Sequence, residues 1–173
     1  METHSPHYRD HITPVEAGVA LGSNLGDRAE HLRRALAAMA ILPGVESVTP
    51  SRFVETAPVG PQDQGDFLNA AALLTTTLPP DILLDELLRL ERALGRPPRE
   101  ERRHWGPREI DLDLLVHGQT VLDQTGLTLP HPRLHERAFV LGPLADVAPG
   151  WIHPVLGKSV TEMRAELGAG VAP

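Results

Sequence analysis

One stretch, HWGPREIDLDLLV at residues 104–116, limits what this chain can fold into more than any other. Apolar and acidic side chains alternate from residue 110 to 114, which is typical of a β-strand with one buried face. Alternate side chains of a strand share a face, so Asp111 and Asp113 are predicted to lie on the same side, about 7 Å apart. Two ionised carboxylates repel each other and are costly to bury, so the pair favours a bound cation. Mg²⁺ suits it, because this ion takes one or two protein carboxylates and adds water and substrate phosphates.

The residues before the acidic strand decide between a metal site and a merely solvated strand face. A turn is predicted just before the acidic strand, and its last residue is an arginine. It comprises Trp105, Gly106, Pro107 and Arg108. Arginine suits phosphate recognition, because its planar group donates two parallel hydrogen bonds. The segment 89–108 holds seven of the fifteen arginines of the chain. The sequence therefore predicts a phosphate and magnesium site.

Composition narrows the class of protein. A chain of 173 residues is long enough for one well-buried domain and too short for two ordinary ones. A net charge of -7 argues against a general nucleic-acid binder. The chain has no cysteine, which excludes disulfides and thiolate metal sites. Without an apolar leader or a membrane-spanning run, we expect a cytoplasmic protein that binds neither membrane nor nucleic acid, and a monomer rather than an oligomer.

The order of predicted elements indicates the fold class. Residues 1–14 are predicted to be a flexible tail, and residues 15–173 a single domain. The predicted elements are a strand at 16–21, a helix at 27–41, strands at 45–55 and 67–77, a helix between Pro79 and Gly95, the acidic strand, a short strand at 120–122, and a last helix opened by a capping box at Ser159 and Glu162. The first six give the βαββαβ order of a ferredoxin-like α+β fold, an antiparallel sheet with helices packed on it. The remainder forms C-terminal additions.

Two further regions supply candidate binding groups. The segment 56–65 is too rich in proline and glycine for regular structure and exposes backbone groups to a ligand. Asn69 follows it, and an amide that donates and accepts matches the edge of an aminopyrimidinone ring. The segment 127–140 concentrates basic and titratable groups, which are predicted to face the two acids.

Five motifs occur in order between residues 19 and 147: GSNLG at 22–26, TAPVGPQDQ at 56–64, FLNA at 67–70, WGPREIDLDLL at 105–115 and LPHPRLHERAFVLGPL at 129–144. In this order they resemble the 6-hydroxymethyl-7,8-dihydropterin pyrophosphokinase family. The resemblance implies transfer of the β,γ-pyrophosphoryl group of ATP to the hydroxymethyl group of the pterin, with release of AMP. ATP is then a co-substrate, and two Mg²⁺ ions are expected.

The resemblance also implies roles for individual residues. Asp111 and Asp113 would hold the metal ions, and Arg96 and Arg108 would clamp the phosphates as catalytic groups. The expected ATP-binding residues are Arg96, Arg108, Leu114, Thr128, His131 and Arg137. The expected pterin-binding residues are Thr56, Ala57, Val59, Phe67, Asn69, Trp105 and Phe139.

Other interpretations stay open for these residues. Phe67 and Phe139 could belong to the core, as most phenylalanines do. His131 could be a structural histidine, and Trp105 a packing anchor. A ferredoxin-like sheet could also bind RNA, but 3% aromatic residues and a negative charge argue against that function. A non-catalytic nucleotide-binding regulator would keep the arginines without needing both aspartates.

Overall fold

The computed structural model describes residues 13–58, 63–97 and 106–169. Val59, Trp105 and all but the last two residues of the predicted tail lie outside these ranges. The elements are β1 (Val15–Ser23), α1 (Arg28–Ala40), β2 (Val45–Pro50), β3 (Val54–Thr56), β4 (Phe67–Thr76), α2 (Pro80–Ala93), β5 (Asp111–His117), β6 (Leu122–Gln124), β7 (Leu127–Leu129), a 3₁₀ turn (Leu134–Glu136), α3 (Ala138–Val147) and α4 (Val160–Ala169).

The sheet has the predicted ferredoxin-like arrangement. Within the described residues its strand order is β2-β4-β1-β5, with β3 also paired to β4, and all of these pairs are antiparallel. Strand β5, which carries the acids, lies at one edge. Strand β1 lies between β4 and β5, so residues of β1 separate the acidic strand from Phe67 and Asn69 of β4.

Helices cover both faces of the sheet. On one face α1 and α2 bury Leu32, Met39, Leu83 and Leu87 against apolar residues of β1, β4 and β5. On the other face α3 and α4 form a second core that includes Ala71 of β4. The βαββαβ part therefore has its helices on one face, and the C-terminal additions cover the other.

The predicted N-terminal ends of α1 and α4 are confirmed, whereas two predicted strands differ: the short strand expected at 120–122 is β6 at Leu122–Gln124, and the strand expected at 45–55 is divided. Asp27 caps α1 by accepting the Glu30 N–H at 3.0 Å. In the capping box of α4, Ser159 Oγ accepts the Glu162 N–H at 3.2 Å, and Glu162 accepts the Ser159 N–H at 2.7 Å. The predicted strand over 45–55 is two strands, because the side chain of Ser51 interrupts the ladder by accepting the Ala71 N–H at 2.8 Å.

None of the helices in the described part of the chain has the length and apolar character that a bilayer crossing requires.

Candidate active site

A cavity of about 820 Å³ opens on the sheet face that α3 partly covers. Its floor follows from strand register. In one row of neighbouring strands, Asp111 of β5 lies opposite Gly22 of β1, and Gly22 lies opposite Asn69 of β4. Asp113 similarly lies opposite Ala20. Small residues therefore separate the acids from Asn69. Since neighbouring strands are about 4.8 Å apart, the acids stand about 10 Å from Asn69 across the sheet.

Two aromatic side chains, Phe67 and Phe139, line this cavity. The guanidinium carbon of Arg108 lies 5.5 Å from the centre of the Phe67 ring, and that of Arg137 lies 5.8 Å from the centre of the Phe139 ring. At these distances each guanidinium group can form a cation–π contact with its ring. Each ring therefore presents a face on which a flat, electron-poor group can stack.

The side-chain amide of Asn69 is held in a fixed orientation. Its Nδ2 donates to Thr56 Oγ1 at 2.7 Å and to the carbonyl oxygen of Val54 at 3.4 Å. Its Oδ1 lies towards Gly22, where a Cβ atom would be 3.6 Å away. With both amide hydrogens engaged, Oδ1 presents an acceptor at the cavity floor.

Asp111 and Asp113 share one face of β5, as the alternation predicts. Their neighbours Ile110, Leu112 and Leu114 are buried in the core on the opposite face. Asp111 forms ion pairs with Arg96 and with Arg108, the second at 2.6 Å between Arg108 Nη1 and Asp111 Oδ2. The carboxylate and both guanidinium groups thus already lie together.

Asp113 experiences a different environment. Burial and, next, the charge of Asp111 raise the pKa of Asp113 to about 6, while Arg137, Arg96 and Arg108 act in the opposite direction. The arginines therefore do not fully offset the cost of a second buried carboxylate. A cation at this position would remove that cost.

His131 lies beside the acids, in surroundings that favour its neutral form. Burial, followed by the charges of Arg137 and Arg133, lowers the pKa of His131. Its Nδ1 accepts the Arg133 N–H at 3.2 Å, so the ring hydrogen is assigned to Nε2. His131 can therefore donate a hydrogen bond to an anion without carrying a charge.

A second cavity, of about 510 Å³, lies along the outer edge of β5 and includes Leu114 and Thr128. The Leu112 N–H points away from β1, since it donates to Glu91 Oε1 at 2.7 Å. Backbone groups two residues apart in a strand point the same way, so Leu114 also presents its backbone outward. Within the described ranges, four residues line both cavities: Arg96, Asp111, Asp113 and His131.

The two carboxylates of β5 fit the oxygen ligands that Mg²⁺ takes from proteins. Among the described residues there is no group of three or more histidine, aspartate or glutamate side chains that could hold a metal ion. The two carboxylates of β5 alone match the way Mg²⁺ is held, with phosphates and water as its other ligands. The raised pKa of Asp113 indicates where positive charge is lacking.

Every predicted site residue within the described ranges lines one of the two cavities. Thr56, Ala57, Phe67, Asn69, Arg108, Arg137 and Phe139 line the first, and Leu114 and Thr128 line the second. Val59 and Trp105 fall outside the described ranges.

Sequence reasoning missed two buried polar residues that contact predicted site residues, Asn24 and Glu91. Glu91 occupies a core position on α2. Asn24 joins three segments: its Oδ1 accepts the Arg108 N–H at 2.8 Å, and its Nδ2 donates to Gln64 Oε1 at 3.0 Å and to the Gly65 oxygen at 3.3 Å. The signal for Asn24 was its place in the GSNLG motif at 22–26, from which no role for Asn24 itself was inferred.

Replacing Asn24 with alanine is expected to lower the free energy of unfolding by about 1–3 kcal/mol, because the Arg108 N–H loses its side-chain acceptor. Urea denaturation checks this value. Asn24→Asp is the matched control, since it keeps the acceptor for Arg108 and removes the donor to Gln64 and Gly65. A stability of Asn24→Ala equal to that of the wild type would contradict the connecting role.

The chain matches the family described as 7,8-dihydro-6-hydroxymethylpterin-pyrophosphokinase (HPPK) over residues 18–149. It is 47% identical over 147 residues to the 2-amino-4-hydroxy-6-hydroxymethyldihydropteridine pyrophosphokinase of Pseudomonas aeruginosa, covering 85% of this chain and 88% of that one. It is 43% identical over 140 residues to the protein of the same name from Haemophilus influenzae, covering 81% of this chain and 86% of that one.

Solved structures with the same fold include the wild-type HPPK-DHPS of Plasmodium falciparum. The TM-score is 0.67 at 12% sequence identity, and the match covers 89% of this chain. The chain spans less than half of that longer protein, with 45% covered. At this identity the likeness concerns the fold.

Proposed function

Because the chain belongs to the 7,8-dihydro-6-hydroxymethylpterin-pyrophosphokinase family, we propose that its two cavities hold the two substrates of that family's reaction. The chain is an ATP-dependent pyrophosphokinase: it transfers the pyrophosphoryl group of ATP to the hydroxymethyl group of 6-hydroxymethyl-7,8-dihydropterin, giving AMP and the pterin diphosphate. This is a step in folate biosynthesis.

The observation that supports the assignment of cavities is their shared boundary. A transfer between two substrates needs both to reach one point, with the charged groups at that point. Arg96, Asp111, Asp113 and His131 line both cavities, and so stand where the two ligands would meet. Neither an RNA-binding sheet nor a single-ligand regulator needs such an arrangement.

The pterin belongs in the first cavity. Its flat ring fits between Phe67 and Phe139, and Asn69 Oδ1 would accept a hydrogen bond from the ring edge. The small residues Gly22 and Ala20 leave the floor open from Asn69 to the acids. The hydroxymethyl arm would then lie towards Asp111 and Asp113. The backbone around Thr56, Ala57 and Val59, with Trp105, is proposed to complete this pocket.

ATP belongs in the second cavity, with its phosphates at the shared boundary. The outward backbone of Leu114 can hydrogen-bond the base, and Thr128 lies near the base or ribose. Arg96, Arg108, Arg137 and the Nε2–H of His131 would bind the phosphate oxygens. All of these groups donate hydrogen bonds, which suits an anionic substrate.

Asp111 and Asp113 are proposed to hold two Mg²⁺ ions, which would neutralise the triphosphate and align it with the acceptor. In the transfer, the pterin hydroxyl oxygen bonds to the β-phosphorus, the bond from that phosphorus to the α,β-bridging oxygen breaks, and AMP leaves while the hydroxyl proton is released. The arginines stabilise charge on the transferred group. The partly apolar cavity would orient the hydroxyl.

The test is to incubate the protein with ATP, Mg²⁺ and 6-hydroxymethyl-7,8-dihydropterin and to separate the products by chromatography. AMP and a pyrophosphorylated pterin are expected, and only when pterin and metal are both present. Formation of ADP instead would contradict pyrophosphoryl transfer. Binding of ATP and pterin without any product would support the regulatory interpretation.

The ion pairs of Asp111 give a second prediction. Arg96 and Arg108 are both bound to Asp111, so they are withheld from ATP until that carboxylate takes up a metal ion. Asp111→Asn is therefore expected to tighten the binding of ATP in the presence of a chelator by about tenfold, because charge-assisted pairs are stronger than neutral ones. Titration calorimetry measures the affinity.

Asp113→Asn is the matched control for that experiment. It removes the same charge from the same strand. Among the described residues, the ion pairs of Arg96 and Arg108 are with Glu91 and Asp111 and not with Asp113. Equal tightening in both variants would mean that general charge, rather than release of the arginines, governs anion binding.

We also propose that the chain acts as a cytoplasmic monomer on small molecules, without nucleic acid or membrane, and that residues 15–173 form one domain. The net charge of -7 and the lack of cysteine support this. Gel filtration tests the monomer.

A further inference from the structure

Glu91 of α2 is an acid buried among apolar residues. Its side chain is 1% exposed, and it follows Leu83 and Leu87 on the buried stripe of the helix. A carboxylate in such a position is costly unless charged and hydrogen-bonding partners surround it. An apolar residue would pack there at lower cost, so the acid indicates a role beyond packing.

The partners of Glu91 are parts of the active site. Its Oε1 accepts the N–H of Leu112 at 2.7 Å, and Leu112 stands between the two aspartates of β5. The same oxygen forms an ion pair with the guanidinium group of Arg96. The backbone of Arg96 is fixed as well, because its N–H donates to the Glu91 carbonyl oxygen at 3.0 Å.

Glu91 and Asp111 consequently both bind Arg96, and both accept from the same nitrogen, Nη1. The Arg96 side chain is 12% exposed, so this pair is shielded from the water that weakens surface ion pairs. If Asp111 bound a metal ion in place of the arginine, the ion pair with Glu91 would still fix Arg96 at the boundary of the two cavities.

We infer that Glu91 is a positioning residue for pyrophosphoryl transfer. It keeps the Arg96 guanidinium directed at the phosphates, and its hydrogen bond to Leu112 sets the strand segment that presents Asp111 and Asp113. Glu91 also borders the second cavity, but its Oε1 is bound to Arg96 and to the Leu112 N–H, so it acts through these residues and does not take part in the chemistry. The inference rests on the proposed function, since it assigns phosphate binding to Arg96.

The test compares Glu91→Gln, Arg96→Ala and the double variant. Glutamine keeps the size of the side chain and an acceptor for the Leu112 N–H, and removes only the charge. Glu91→Gln is expected to lower kcat, and to weaken the binding of ATP with Mg²⁺, by about 10- to 100-fold, as loss of an outer partner of a site residue does. Binding of the pterin alone should stay within about twofold, because Glu91 does not line the first cavity.

The double variant separates positioning from general stabilisation. In the Arg96→Ala background, Glu91→Gln should add less than about threefold to the loss of ATP affinity, since the partner is already gone. Glu86→Gln is the matched control, because Glu86 lies on the same helix and pairs with Arg89 at the surface. It should leave kcat and ATP affinity unchanged.

Two results would overturn the inference. One is a loss of ATP affinity in the double variant equal to the product of the losses in the two single variants, and the other is wild-type ATP affinity in Glu91→Gln. If Glu91→Gln does not fold, Glu91→Asp is the deciding variant. It keeps the charge but moves it away from Arg96 by about one bond length of 1.5 Å. A loss of ATP affinity in Glu91→Asp supports the inference, and an unchanged ATP affinity refutes it. Calorimetry measures ATP binding without any turnover, so it tests the role of Glu91 by itself. Formation of AMP by the wild type tests the proposed function.

Discussion

Asp113→Asn should lower pyrophosphoryl transfer by at least about three orders of magnitude and, at the same time, make the metal-free protein more stable. The first effect follows from the loss of a proposed Mg²⁺ ligand, because phosphoryl transfer depends on charge neutralisation and alignment. The second follows from the pKa of Asp113, which burial and Asp111 raise to about 6. Measurements of AMP formation and of thermal unfolding in a chelator check the two effects.

The stability effect has a defined pH dependence. A carboxyl whose pKa is raised in the folded state destabilises the fold when ionised, so wild-type stability falls as pH rises from about 4 to above 6. The advantage of Asp113→Asn is thus absent near pH 4 and reaches at most about 3 kcal/mol above pH 7. Retention of near-normal turnover would contradict the metal assignment, and an advantage independent of pH would contradict the role of the ionised carboxyl.

Arg108→Ala is expected to lower kcat by about 10³-fold, the second large effect. Its guanidinium group lies between Asp111 and the Phe67 ring, where the transferred group would pass. An arginine that stabilises charge on a transferred phosphoryl group contributes about 10³- to 10⁵-fold in rate. Steady-state kinetics of AMP formation measure the change.

Two variants accompany that experiment. Arg108→Lys should recover only part of kcat, because lysine keeps the charge and loses the planar pair of donors. Arg52→Ala is the surface control: Arg52 pairs with Asp146, and its side chain is 78% exposed. If Arg108→Ala turns over within tenfold of the wild type, Arg108 does not bind the transferred group.

The features predicted from sequence are those with a local signal. The alternation around Asp111 and Asp113 is a period-2 pattern, so the strand and the shared face of the acids followed from spacing alone. The capping box of Ser159 and Glu162 is likewise a local pattern, and the structure confirms it. The βαββαβ order gave the sheet, because few topologies accept that order.

The features that sequence could not supply depend on contacts distant in the chain. In the sequence, Glu91 is one charged residue of a leucine-rich helix. Its contacts with Arg96 and Leu112 form only when α2 packs against β5. The break of the predicted strand at Ser51 depends on Ala71 in another strand. The second cavity exists because β5 is an edge strand, and strand order is a property of the assembled sheet.

The row formed by Asp111, Gly22 and Asn69 has a consequence for substrate choice. Its length is set by backbone hydrogen bonding between three strands, so it cannot adapt to a longer ligand as a flexible loop can. The sheet thereby fixes the distance between the amide proposed to bind one end of the acceptor and the charged groups proposed to act on the other. An acceptor with one extra methylene would place its hydroxyl about 1.5 Å too far along, so this enzyme should discriminate among pterin alcohols by length as well as by ring edge.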